Sequence, residues 1–218
     1  LLDPAAAPPA QVALADGLIG ATAFFILQGV ALLIIADDLA QPGMRALTLS
    51  FISAGTIVYL LMRLYYWRSK TTGVPAILHG GTFRAALLTA APTALIAILC
   101  GLGYLTAIRH SELAPMLGKG ATITDTHRNW LLGLAVLAAP LCEEFLFRGL
   151  IFGGLRRSMA VLPSAVLSAA IFAIVHPPIA MLPVFILGLC TAWSYQRSKT
   201  LLAPMLVHAL YNAAMVML

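Results

Sequence analysis

The chain has 218 residues, 61% of them hydrophobic and 10% charged, with a formal net charge of +5 and a mean hydropathy of +0.95. A soluble domain runs to about 45–50% apolar and about 25% charged, so a water-soluble globule is excluded, as are disordered, fibrous and disulfide-scaffold classes. The basic residues sit in short clusters between apolar blocks, without a run of five like charges, which argues against nucleic acid as a partner.

Residues 1–13 read as a flexible Pro/Ala-rich lead-in. The opening Leu-Leu-Asp-Pro lacks the basic stretch of a signal peptide, and the missing Met implies that a few leading residues have been removed. Seven apolar segments follow, several of them longer than the roughly 20 residues that cross a ~30 Å hydrocarbon core. They run from Leu14 to Ala36, Leu47 to Tyr66, Ala85 to Ile108, Trp130 to Leu155, Val161 to Val175, Ile179 to Tyr195 and Leu201 to Leu218. The expected fold is an all-α polytopic bundle of about seven membrane helices, with a range of six to eight. Residues 14–128 supply N-terminal membrane helices that carry no assignable role, and 129–218 hold the chemistry. Cys100, Cys142 and Cys190 are odd in number and lie within apolar stretches, where cysteine behaves as a small hydrophobe.

Basic residues set the orientation. Arg63, Arg68, Lys70 and Arg84 lie between segments two and three, Arg156 and Arg157 between four and five, and Arg197 and Lys199 between six and seven. The positive-inside rule makes these loops cytoplasmic, with the N-terminus inside and the C-terminus outside an integral membrane protein. The short loops point to a prokaryotic plasma membrane.

Ionisable groups inside apolar segments cost about 2.5–3.5 kcal/mol each and by default mark a site. Here they are Glu143, Glu144 and Arg148 on segment four, His176 at the end of segment five, and His208 with Asn212 on segment seven. Glu143 lies about 15 residues before the turn near Ser158, and His176 about 16 after it, so an antiparallel pair returns them to one level. His208 and Asn212 rise roughly 14 and 20 Å from the turn near Arg197. Glu144 and Arg148 share a helix face at i,i+4, while Glu143 points about 100° away, towards a cavity. His208 and Asn212 also share a face. Pro140 removes a helix donor one turn before the glutamates and frees a carbonyl there. His79, His110 and His127 fall in loops and carry no role.

Taken in order, Glu-Glu-x-x-x-Arg (Glu143, Glu144, Arg148), Phe-x-x-x-His (Phe172, His176) and His-x-x-x-Asn (His208, Asn212) resemble the CPBP or Abi family of intramembrane proteases. That family includes the CAAX prenyl endopeptidases, and the resemblance covers about the last 85 residues. It implies a glutamate-dependent endopeptidase acting on a membrane-associated peptide or protein, prenylated or not, without a cofactor. By the same resemblance Glu143 is the general base that activates water. His176 orients that water or protonates the leaving amine, and His208 and Asn212 hold the oxyanion. Glu144, Arg148 and Phe172 support them.

Two other classes stay open on the residues alone. Glu143, Glu144, His176 and His208 are acceptable zinc ligands, although His-Glu-x-x-His is missing and Arg148 opposes a dication. A non-proteolytic scaffold or proton-coupled transporter would use the same polar cluster. Cys142, next to Glu143, is a remote candidate nucleophile.

Overall fold

The structure is a computed structural model that describes residues 12–68, 81–117 and 125–217. Among these residues there are seven helices and no strand. Helix α1 is Leu14–Ile35, α2 is Met44–Arg68 and α3 is Phe83–Arg109. Helix α4 is one rod over 125–155, built from α-helical Asp125–Leu132, π-helical Gly133–Ala138, α-helical Ala139–Glu144, π-helical Phe145–Phe152 and a last α-turn at Gly153–Leu155. Helix α5 is Val161–Ile174, α6 is Met181–Ser198 and α7 is Leu202–Val216. Every segment expected from the sequence forms a helix, with ends within about five residues. Most of the lead-in, with Lys70, His79 and Lys119, lies outside the described residues.

Local chemistry sets the helix ends. Asp16 reaches back to accept the Ala13 N–H at 2.8 Å, and Thr82 accepts the Ala85 N–H at 3.1 Å, so each satisfies an orphan donor of a first turn. Lys199 closes α6 in a left-handed conformation, φ 59°, with its N–H on the Tyr195 carbonyl. Among the described residues, five helical stretches are long and apolar enough to cross a membrane. Helices α5 and α7 have 14 and 15 residues, about 21–23 Å at helical rise, short of a full crossing.

Helix α4 runs through the middle of the bundle and packs against α1, α2, α5, α6 and α7, while α3 packs on α6 and α7. Large apolar side chains such as Ile26, Leu33, Ile34, Leu88 and Ile174 point outward. That inverts a soluble protein and suits a lipid solvent, where helices associate through close packing of small residues. A Cβ at Gly154 would lie 2.6 Å from the Leu14 nitrogen, one at Gly17 2.9 Å from the Ile151 nitrogen, and one at Gly188 2.8 Å from Ala169 Cβ. These glycines let α1 seat on α4, and α6 on α5, backbone to backbone.

The described residues that flank the basic loops meet at one end of the bundle. Tyr66, at the end of α2, donates to Asp16 at the start of α1, 2.9 Å. The start of α1 lies on Gly154 near the end of α4, and Gly81, before α3, lies on Ser198 and Thr200, between α6 and α7. The alternation read from the sequence is therefore present in the packing.

Candidate active site

Two consecutive glutamates on a helix face different surroundings. Glu144 is fully buried in the bundle, whereas the Glu143 side chain keeps 15% exposure and lines a cavity of about 240 Å³. His176, His208 and Asn212 line the same cavity, with Phe172, Val184, Leu187 and Met215 among its apolar wall. The structure thus brings together the four residues that the sequence singles out, from α4, the end of α5 and α7. The cavity sits in the half of the bundle away from the basic loops, beside Ala135 near the start of α4 and Val216 at the end of α7.

Behind the cavity lies a buried charged layer. Arg148 Nε approaches Glu144 Oε2 at 3.1 Å, with both side chains fully buried. This is an ion pair without hydrogen-bond alignment. The guanidinium also donates from Nη2 to the Gly188 carbonyl, 3.1 Å, and its carbon lies 4.4 Å from the centre of the Phe172 ring. A desolvated cation over an aromatic face is stabilised by about 2 kcal/mol. Glycine favours this approach, because a Cβ at Gly188 would lie 3.2 Å from Arg148 Nη2.

The other oxygen of Glu144, Oε1, accepts from His208 Nδ1 at 2.7 Å. This bond was not legible in the sequence, since the i,i+4 spacing assigns Glu144 to Arg148 alone. It turns the imidazole so that Nε2 lies 3.8 Å from Glu143 Oε2. A carboxylate that holds one ring nitrogen fixes the orientation of the ring and aims the other nitrogen.

His176 lies just past the end of α5. Its backbone N–H bonds the Ala173 carbonyl, and its Nδ1 donates to the Phe172 carbonyl at 2.8 Å, so a helix-end acceptor is satisfied by the ring itself. Pro177 and Pro178 then lead into a short 3₁₀ turn, Pro178–Ala180. The ring stands edge-on to Phe172, centroids 4.8 Å apart, which leaves Nε2 for the cavity. Phe172 touches His208 as well, at 5.7 Å, so one buried ring braces both imidazoles and Arg148.

Asn212 donates from Nδ2 to the carbonyl of Ala135, 2.8 Å. One of its two amide hydrogens is used there and the other remains for the cavity. Cys142 lies on a different face of α4, lining an apolar groove with Ile52, Gly55, Tyr59 and Met205. The structure does not bring its thiol to the histidines. His110 bonds its own helix through Thr106 at 2.8 Å, and His127 stands exposed at the start of α4. Among the described residues no three His, Cys, Asp or Glu side chains are grouped so as to hold a metal ion.

Comparison with known proteins bears on this C-terminal part of the molecule. Residues 126–214 match the family model of Rce1-like type II CAAX prenyl endopeptidases. The chain is 32% identical over 87 residues to the membrane-embedded CAAX protease MroQ of Staphylococcus aureus (strain USA300), covering 37% of this chain and 35% of that protein. It is 30% identical over 83 residues to the putative membrane peptidase YdiL of Bacillus subtilis (strain 168), covering 38% and 34%. It is 35% identical over 88 residues to the UPF0177 protein YxdF of Lactococcus lactis subsp. lactis (strain IL1403), covering 39% and 46%. The matched stretch therefore spans between about a third and a half of each curated relative. No solved structure matches the chain.

Proposed function

We propose that this chain, whose residues 126–214 match the family model of Rce1-like type II CAAX prenyl endopeptidases, is an intramembrane endopeptidase that hydrolyses a peptide bond of a membrane-associated peptide or protein. The observation that supports this most is the convergence of Glu143, His176, His208 and Asn212 on one cavity. Its volume, about 240 Å³, accommodates a water, whose share of liquid volume is about 30 Å³, together with part of a peptide.

In this reading a water lies between the Glu143 carboxylate and His176 Nε2. Glu143 takes a proton from it as general base, and the oxygen attacks the scissile carbonyl carbon. Negative charge moves to the carbonyl oxygen, where the remaining Asn212 amide hydrogen and the Nε2–H of an imidazolium at His208 stabilise it. Glu144 balances that imidazolium through Nδ1–H. The proton gained by Glu143 passes to the leaving amine, directly or through His176, and the C–N bond breaks.

Cleavage of prenylated and unprenylated peptides by the purified protein, followed by mass spectrometry, tests the activity. His208→Ala and Asn212→Ala are each expected to lower kcat by about 10²-fold with KM within about twofold, as for contacts made in the transition state. An unchanged kcat with a weaker KM would remove the oxyanion role. Activity that strong chelators abolish and zinc restores would favour the metalloprotease, and folded protein without cleavage would favour a scaffold or transporter.

The shared basic end is read as cytoplasmic, which places the cavity in the outer half of a plasma membrane. Met217, 68% exposed beyond α7, gives the test. In a background without the native cysteines, Met217→Cys is expected to react with a membrane-impermeant maleimide added to intact cells. Labelling only after permeabilisation would reverse the orientation.

A further inference from the structure

The carbonyl that holds Asn212 loses its usual donor within its own helix, and the backbone of α4 explains why. In an α-helix the Ala135 carbonyl would accept from the N–H of residue 139. Here the Ala139 N–H goes instead to Leu134, five residues back, as the π-helical stretch Gly133–Ala138 requires. Continued by one residue, the same register would offer Ala135 the N–H of residue 140. That residue is Pro140, which has none. The i+4 and i+5 backbone donors to the Ala135 oxygen are thus removed, one by register and one by chemistry. The acceptor left on the cavity wall is the one that Asn212 Nδ2 occupies at 2.8 Å.

We infer that Pro140 is a positioning residue for the reaction: by withholding its N–H from a π-helical turn it reserves the Ala135 carbonyl for Asn212, and so fixes the amide whose second hydrogen faces the scissile bond. The inference rests on the proposed role of Asn212 and adds to it the device that orients the side chain. The geometry favours this over a purely structural proline. A proline in a helix interior costs roughly 3 kcal/mol, and a membrane helix with no task here would regain a hydrogen bond by replacing it. His176 has a parallel arrangement, since its Nδ1 takes the Phe172 carbonyl at a helix end that Pro177 cannot extend.

Pro140→Ala restores a donor to position 140 while keeping a small apolar side chain. The new N–H competes with Asn212 for the Ala135 carbonyl and frees the carboxamide to rotate. The expected result is a kcat lower by about tenfold with KM within about twofold, in line with the cost of a misplaced group. A double-mutant cycle separates this from a loss of stability. If Pro140 acts only through Asn212, the variant carrying both Pro140→Ala and Asn212→Ala is as slow as Asn212→Ala alone. Multiplying effects, or a Pro140→Ala enzyme as fast as the wild type while Asn212→Ala is slow, would overturn the inference and leave the oxyanion reading standing. An Asn212→Ala enzyme at the wild-type rate would remove the reading itself.

A spectroscopic measurement works without turnover, on a Pro140→Ala protein whose helix content and thermal unfolding match the wild type. The chain has two asparagines, Asn129 and Asn212, and Asn129 is exposed, so side-chain amide ¹⁵N spectra of the detergent-solubilised protein contain a built-in reference. One Asn212 hydrogen is expected to exchange at least tenfold more slowly than those of Asn129, and Pro140→Ala is expected to abolish the difference. Equal exchange at the two residues in the wild type, or an Asn212 signal unmoved by Pro140→Ala, would contradict it.

Discussion

Glu143→Gln is expected to lower kcat by about 10³–10⁴-fold, in line with the loss of a general base, while KM stays within about threefold and the protein stays folded. The substitution preserves shape and one oxygen acceptor but leaves an amide that takes no proton from water. It should be tolerated because Glu143 faces the cavity and retains 15% exposure. His208 Nε2 lies 3.8 Å from it, and the buried Arg148 cation pairs with Glu144 instead. Single-turnover cleavage of a lipidated peptide, with solubilised yield and thermal unfolding measured alongside, gives the answer. A Glu143→Gln protein that cleaves within tenfold of the wild type would move the base elsewhere in the cavity.

The same change one residue on should read differently. Glu144 is fully buried and holds both Arg148 and His208, so Glu144→Gln strikes the packing first. The contrast between adjacent glutamates follows from the ~100° step of a helix, and that much was legible in the sequence. The spans were legible too, because lipid admits only apolar segments of limited length and Asp37, Arg109 and Arg156 mark their ends. The level at which Glu143, His176 and His208 meet followed from counting residues to each turn. What counting could not supply was the set of bonds made to backbone. The Phe172 carbonyl under His176 and the Ala135 carbonyl under Asn212 depend on where a helix ends or changes register, and the Gly188 carbonyl under Arg148 on how closely a glycine lets the side chain approach. Of these irregularities only the prolines leave a mark in the sequence. The Glu144–His208 bond depends on the rotation of α7 about its own axis, and an i,i+4 pair does not fix that.

Arg148→Met should be the most destabilising single change in the site. It removes a fully buried cation and leaves the Glu144 carboxylate without its ion pair in a medium that solvates charge poorly. Breaking a buried pair from one side costs about 3–5 kcal/mol, enough to deplete the folded protein. The cation–π contact with Phe172 and the bond to the Gly188 carbonyl disappear with it. Arg148→Lys should rescue little, because an ammonium cannot lie flat on the Phe172 ring while reaching both Glu144 and the Gly188 carbonyl. The informative protein is the double variant Glu144→Leu with Arg148→Met, which replaces the pair by apolar side chains. Such exchanges are often neutral or stabilising, so its denaturant midpoint should return to within about 1 kcal/mol of the wild type. Its activity should not return, because His208 Nδ1 has then lost the oxygen that holds it at 2.7 Å and Nε2 is no longer aimed into the cavity. Stability and turnover restored together would mean that the charged layer serves the fold alone. Stability restored without turnover would assign it to the orientation of His208.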